Sequence, residues 1–324
     1  MNVLGVETSC DETSVAVVKD GLHMLSNTVL SSLKLHSKYG GVIPEIASRM
    51  QLETITQVAQ GALKVARVSL KNIGLISVTS GPGLLGSLLV GISFAKSLSL
   101  SHGIPLIGVN HVHSHLYANF LNSKGPKLPF VALVVSGGHT SLFYVKGFHK
   151  IEILGETQDD ACGEAFDKVG KILGLGYPGG PLIEKMAALG NTGKFKFKCS
   201  GTSNPLDFSF SGIKTAVLYL VQGKKLRLKE KQEIAASFQE AVIDTLIKKA
   251  MLACRELKTK NLVIGGGVVA NNRLRVRFLQ EAIGIKCFFP PKTLCLDNAA
   301  MVAGFGYQLF KKGQRSELDL TAQF

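Results

Sequence analysis

Two stretches of the chain follow one hydrophobic plan. Residues 3–18, VLGVETSCDETSVAVV, read as an apolar strand, a small polar turn and a second apolar strand. Residues 131–145, VALVVSGGHTSLFYV, repeat that plan around a Ser-Gly-Gly-His-Thr-Ser turn. Apolar runs of this length bounded by turn residues are the signal of buried strands joined as hairpins. Each hairpin leads into alternating helical and strand periods, such as a helix over Pro44 to Val65 and a strand over Ile73 to Thr79. Pro105 to Val109 reads as a further strand, and Asn110 is placed to cap a helix that opens at His111. Two hairpins leading into α/β units predict two similar domains facing each other across a cleft. The competing reading is two unrelated hairpins within one large α/β domain. GPKLP, from Gly125 to Pro129, interrupts the periodicity and marks the expected boundary. Residues 73–95 carry no charge, but Ser80-Gly81-Pro82-Gly83 splits them into strand, turn and helix before Lys96, so no transmembrane segment is expected.

With 324 residues, 46% of them hydrophobic and 19% charged, the chain is long enough for two ordinary cores and shows no disordered or coiled-coil bias. Lys and Arg number 37 against 23 Asp and Glu, a net charge of +14. An excess of that size favours a polyanionic partner such as nucleic acid, although a membrane surface has the same sign. The basic residues gather at Lys194, Lys196 and Lys198, from Lys224 to Lys231, at Arg273, Arg275 and Arg277, and at Lys311, Lys312 and Arg315. Any one such run is ordinarily a solvated face. Six scattered cysteines without a CxxC pair suit a reducing compartment. Val3 already begins a strand, so no signal or transit peptide is expected, and the chain reads as a soluble cytoplasmic protein.

The most informative polar feature is the pair His111 and His115 in NHVHSHLYANF. Residues four apart share one helical face, so both imidazoles can reach a single ion. Val112 stands where the HExxH helix of a metalloprotease carries its general-base glutamate, so the pair suggests metal binding without proteolysis. The alternative is a helix start with two solvated or core histidines. Asp297, in CLDNAAMVAGF, opens a final helix, either as an N-cap or as an oxygen ligand completing a His-His-Asp set. In DDACGEAFDKVGKILGLGYPGGP, Ala161, Ala165, Val169 and Ile172 form a stripe, with Asp167 off it. A carboxylate there either accepts from a ligand's hydroxyls or belongs to a solvated helix face. Ser136-Gly137-Gly138 and LVIGGGVVANNRLR (262–275) are glycine turns through which backbone N–H groups approach a phosphate. Gly265 to Gly267 do not match GxGxxG, which argues against a Rossmann dinucleotide site at that turn, and no GxxxxGK[ST] Walker loop occurs. Asp11 and Glu12 are either turn residues or acids acting on a metal or phosphate.

Taken together, GVETSCDETSVAV, KYGGVIPEIASR, TSGPGLLGSLLVG, HVHSH, PFVALVVSGGHTSL, DDACGEAFDKVGKILGLGYPGGP, DFSFSGIKTA, GGGVVANNRLR and LDNAAMVA span nearly the whole chain. They resemble the bacterial and mitochondrial branch of the tRNA threonylcarbamoyladenosine transferases, formerly called O-sialoglycoprotein endopeptidases. The resemblance implies an α/β, actin-like and sugar-kinase-like ATPase fold of two duplicated domains. Residues 1–127, joined by part of a C-terminal helix within 299–324, would form one domain and 128–298 the other. It implies acyl transfer of threonylcarbamoyl from threonylcarbamoyl-AMP to the exocyclic amine of the adenosine beside the anticodon in tRNAs reading ANN codons. His111, His115 and Asp297 match the family's metal ligands, iron first and zinc second. Val134, Val135, Ser136, Gly137, Gly138, Asp167, Gly180 and Asn271 match its substrate-contacting positions, which ATP or ADP can also occupy. Asp11 and Glu12 match acids tied to activity. The implied partners are tRNA, a paralogous subunit of the same fold, a small P-loop ATPase and a threonylcarbamoyl-AMP synthase, with no membrane.

Three departures accompany the resemblance. Val134 stands where archaeal relatives place a metal-binding tyrosine, Leu296 replaces the usual threonine before Asp297, and no basic, tryptophan-containing tail follows Ala322-Gln323-Phe324. Three rivals remain open: a metalloprotease, a small-molecule kinase of the same fold that uses ATP without tRNA, and a non-catalytic ATP-binding regulator.

Overall fold

The computed structural model describes residues 1–123 and 125–323, so Phe324, the end of both the expected helical range and the tail, lies outside the described residues. The chain divides into two compact units, one of Met1–Gly125 with Leu296–Phe324 and one of Pro126–Cys295. Asp297 therefore falls in the first unit rather than in the 128–298 segment.

The first unit opens with β1 (Asn2–Glu7), β2 (Glu12–Lys19) and β3 (His23–Ser31), followed by the short helix α1 (Leu33–His36) and the long α2 (Pro44–Ala66). Then come β4 (Ile73–Gly81), α3 (Leu85–His102), β5 (Leu106–Asn110) and α4 (His111–Tyr117). The sheet order is β3-β2-β1-β4-β5, with β1 antiparallel to β2 and parallel to β4. The second unit repeats the arrangement. Its strands are β6 (Phe130–Val135), β7 (Thr140–Gly147), β8 (Lys150–Glu156), β9 (Asn261–Gly265) and β10 (Lys286–Phe288). Its helices are α5 (Cys162–Ile172), α6 (Gly179–Ala187), α7 (Ser211–Val221), α8 (Leu228–Glu256) and α9 (Asn272–Glu281). The order β10-β9-β6-β7-β8, read backwards, matches the first sheet strand for strand, including antiparallel β6–β7 and parallel β6–β9. The chain then returns to the first unit as α10 (Ala299–Phe310). The matched topologies replace the reading of two unrelated hairpins in one large domain.

Period-two alternation in β1 sends Leu4 and Val6 into a core with Val15, Val17, Ile55, Val58, Ile76, Val78 and Leu88, covered by α2 and α3. Val3, Gly5 and Glu7 therefore point to the opposite face, which α10 covers. Gly5 is required there, because a Cβ would meet the Ala299 carbonyl oxygen and Ala303 of α10. Ser77 donates its hydroxyl to the Val302 carbonyl at 2.8 Å, and the Ala299 N–H donates to Ser14 Oγ at 2.9 Å. These contacts fix the start of α10 over the ends of β1 and β2. In the second unit, Val131, Leu133, Phe166, Val169, Phe208, Phe238 and Ile264 belong to one core. Residues 73–95 form β4, the turn and most of α3, and no helix among the described residues is long and apolar enough to cross a membrane.

Candidate metal centre

α4 begins where β5 ends, and the Asn110 side chain accepts from the His113 N–H at 2.9 Å, the cap expected there. The four-residue spacing puts His111 and His115 on one face, with ring centroids 4.8 Å apart and planes at 76°. Both rings are buried. Asp297 reaches them from the far end of the chain. It is not a helix cap, as the first of its two sequence readings had it: Asn298 caps α10 by accepting from the Met301 N–H at 3.1 Å. The Asp297 carboxylate instead lies 3.2 Å from His115 Nε2 and 3.6 Å from His111 Nε2. One ligand atom from each of the three residues lies within 4.8 Å of the others.

Behind His111 stands Glu7, fully buried at the end of β1. Its Oε2 lies 3.0 Å from His111 Nδ1 and accepts from Thr79 Oγ1 at 2.6 Å, while Oε1 accepts from the Ser9 N–H at 2.5 Å. As a metal ligand, His111 would keep its proton on Nδ1 toward Glu7 and turn the Nε2 lone pair to the ion. Ser9 Oγ lies 3.1 Å from the same Nδ1. Burial disfavours charge on the His111 ring, but Asp297 and Glu7 outweigh it and raise the pKa to about 9. Burial likewise works against the Glu7 carboxylate, yet the facing imidazole holds it below its ordinary value.

The hairpin turn adds two more carboxyl groups, Asp11 and Glu12. Gln51 Nε2 donates to the carbonyls of Cys10 (2.9 Å) and Glu12 (3.0 Å), and Ser32 Oγ donates to the Asp11 carbonyl at 2.7 Å, so the turn is pinned. Burial, and after it the charges of Asp297 and Asp11, push the Glu12 carboxyl well above its ordinary value. The same burial and acids raise the Cys10 thiol, so it is no nucleophile. Among the described residues, neither ring nitrogen of buried His115 has a hydrogen-bond partner, although Nε2 faces Asp297. Orphaned imidazole nitrogens beside a surplus of carboxylates are what a divalent cation satisfies, and a His-His-Asp donor set suits zinc or iron. The residues fit the metal that the sequence suggests.

In the second unit, Val134 and Val135 end β6 fully buried, Ser136 is buried and Gly137 and Gly138 are exposed. Gly163, at the start of α5, packs so closely on Ser136 and Gly137 that a Cβ would meet the Ser136 carbonyl. Gly266, at φ +98°, lies against the Val135 carbonyl, which makes glycine necessary in that turn. Asp167 accepts from the Gly179 N–H at 2.7 Å, bringing the α5 carboxylate beside Gly180 at the start of α6. Asn271 caps α9 by accepting from the Leu274 N–H and donates to Gln239 Oε1 at 2.8 Å. The turn after β6 and the loop after β9 thus converge at the carboxyl ends of adjacent parallel strands, where open α/β sheets take ligands. Sequence reasoning missed Glu7, Ser9 and Thr79. The available signal was Glu7 itself, a lone charge closing the buried strand Val3 to Val6.

A family profile described as tRNA N6-adenosine threonylcarbamoyltransferase matches residues 23–304. A protein of that name from Thermosipho africanus is 52% identical over 99% of this chain and 98% of its own length. One from Dictyoglomus turgidum is 50% identical over 99% and 97%. Among solved structures, T. kodakarensis HypF superposes with TM-score 0.68 at 15% identity, over 98% of this chain and 49% of that one. Component A of (R)-2-hydroxyglutaryl-CoA dehydratase from Acidaminococcus fermentans gives TM-score 0.55 at 12% identity, over 97% of this chain and 100% of that one. These two likenesses concern the fold alone, an α/β architecture of two units.

Proposed function

Because the chain belongs to the tRNA N6-adenosine threonylcarbamoyltransferase family, and so is an acyltransferase acting on tRNA, we propose that its donor is threonylcarbamoyl-AMP and its acceptor the exocyclic amine of the adenosine beside the anticodon in tRNAs reading ANN codons. His111, His115 and Asp297 hold one divalent metal, iron first and zinc second. The observation that carries this reading is their gathering in one unit with Glu7 on the far nitrogen of His111.

In the reaction the adenine amine attacks the carbamoyl carbon. The bond from that carbon to the phosphate oxygen breaks, AMP leaves with the electron pair, and the amine gives up a proton. When bound, the metal supplies positive charge that stabilises oxyanion character growing on the adenylate in the transition state. Glu7 keeps the His111 proton on Nδ1 and so fixes which nitrogen ligates. Asp11 and Glu12 lie in the turn beside Glu7, and a cation held there would offset the burial and neighbouring acids that push the Glu12 carboxyl up. The turn from Val134 to Gly138, through its exposed Gly137 and Gly138, and Gly180 receive the nucleotide, which ATP or ADP can also supply, and Asp167 and Asn271 accept from its hydroxyls. The acceptor adenine leaves its stack in the anticodon loop to present its amine.

The positive charge of the chain draws the RNA in, and the partners are a paralogous subunit, a small P-loop ATPase and a threonylcarbamoyl-AMP synthase, all in the cytoplasm. Val112 at the general-base position of HExxH speaks against the protease reading. The decisive assay combines purified protein, these partners, adenylate and unmodified tRNA, and measures threonylcarbamoylated adenosine by mass spectrometry. Product that needs all components supports the reading. Phosphate transfer to a small molecule without tRNA would point to a kinase instead, and nucleotide binding with unmodified tRNA to a regulator.

A further inference from the structure

The second unit carries basic residues of two kinds. Lys168 and Lys214 both pair with Asp160, and Arg273 and Arg277 both pair with Glu240. Lys194, Lys196 and Lys198 differ: all three are exposed and none of their side chains has a hydrogen bond or ion pair among the described residues. No acid occurs from Asn191 to Pro205, so nothing in the segment offsets them.

The segment is nevertheless anchored. Burial alternates residue by residue, with Phe195, Phe197 and Cys199 turned onto the core of the unit. The Phe195 N–H donates to Ser237 Oγ at 3.2 Å, and Cys199 Sγ lies 3.9 Å from the Ala241 carbonyl, one turn further along α8. Phe195 and Phe197 stack with centroids 6.2 Å apart. Upstream, Lys229 Nζ donates to the Leu189 carbonyl at 3.3 Å, which brings the basic start of α8 beside the same stretch. The two-residue alternation of burial turns all three lysines to solvent while the residues between them pack inward. Three ammoniums thus stand side by side in the sequence on an anchored segment, uncompensated from within.

We propose that Lys194, Lys196 and Lys198 form a track for the sugar-phosphate backbone of tRNA. The track rests on the tRNA-modifying reading above and supplies affinity and register, not base identity, because ammoniums on phosphates carry no sequence information. Because Phe195 and Phe197 pack onto the core instead of standing out between the lysines to enter a bilayer, the segment favours a phosphodiester chain over a lipid surface.

The test compares the wild-type protein with the triple variants Lys194→Gln/Lys196→Gln/Lys198→Gln and Lys194→Arg/Lys196→Arg/Lys198→Arg, binding unmodified tRNA between about 50 and 200 mM salt. Each lost phosphate contact lowers the slope of log affinity against log salt by about 0.7 to 0.9, so the Gln variant should lose about 2 to 3 in slope. The Arg variant should keep the wild-type slope. All three proteins should melt alike and modify tRNA at the same rate once tRNA is saturating. A Gln variant with wild-type slope and affinity overturns the track. So does one that binds tRNA normally but loses affinity for vesicles of anionic phospholipid. Wild-type protein that neither binds nor modifies tRNA would instead remove the functional reading, and the track with it.

Discussion

The two hairpins sit on sheets of one topology yet end their first strands on opposite chemistry. β1 closes on Glu7 and β6 closes on Val135, both fully buried. Glu7 is accommodated because Thr79, Ser9 and His111 bring hydrogen-bonding groups to it from β4, the turn and α4. Val135 is accommodated because Gly266 lies over its carbonyl and the surroundings are apolar. The turns diverge in the same sense: Ser9-Cys10-Asp11 is acidic and pinned by Gln51 and Ser32, whereas Gly137 and Gly138 are exposed, with open space where side chains would stand. One scaffold position thus gathers carboxylates and an imidazole in one copy and exposes a glycine turn in the other. The difference lies in what neighbouring elements bring to it, not in the strands.

The strongest way to break the comparison is Val135→Glu, which buries a carboxylate with no donors arranged for it. It should cost at least about 3 kcal/mol of unfolding free energy in denaturant titration, and it should create no metal site. A milder result would mean that the second hairpin is as polar as the first. Gly266→Ala should cost about 1 to 3 kcal/mol, from strain at positive φ and the clash with the Val135 carbonyl. On the first hairpin, Glu7→Gln keeps shape but loses the charge facing His111. Metal affinity by competition titration should fall about 10- to 100-fold, with little change in melting. An unchanged affinity would assign Glu7 to packing alone.

The smallest effect is expected at Asp159, which accepts from Ser209 Oγ (2.5 Å), Ser211 Oγ (2.6 Å) and the Phe210 and Ser211 N–H groups (2.7 and 3.1 Å) at the start of α7. Burial opposes its charge, but these four donors win and hold it below the ordinary 3.8. Its stabilisation is therefore present above 3.8 and lost as pH falls through the lower folded value. Because the residue is exposed, Asp159→Asn should cost only about 1 kcal/mol near neutral pH, shrinking toward zero in acid. A cost that grows on acidification would reverse the sign of this account.

What the chain disclosed in advance was local. The hairpins, the strand before His111 and the Asn110 cap rest on neighbouring residues, and the structure has them. The α5 stripe of Ala161, Ala165 and Val169 is buried, with Phe166 added and Ile172 only partly covered. Edge strands β3 and β8 gave little pattern because most of their residues are only partly covered or exposed. The opening of α8 was hidden by the basic run from Lys224 to Lys231, which reads as a solvated face. Asp297 was ambiguous because its partners lie nearly two hundred residues earlier, and only the packing of α10 against Gly5 and Ser14 places it on the histidines. Glu7 was ambiguous for the same reason: a carboxylate after an apolar strand looks like a turn residue until Thr79 and His111 are folded around it.

The central claim is that His111, His115 and Asp297 hold a divalent cation together. Equilibrium dialysis of the wild-type protein and of His111→Ala, His115→Ala and Asp297→Ala against ferrous and zinc ions tests it most directly, with circular dichroism to confirm folding. The account predicts one ion per wild-type chain and loss of at least about 100-fold in affinity, equivalent to about 2.7 kcal/mol, in each folded variant. Three folded variants that bind metal as tightly as the wild type would contradict it.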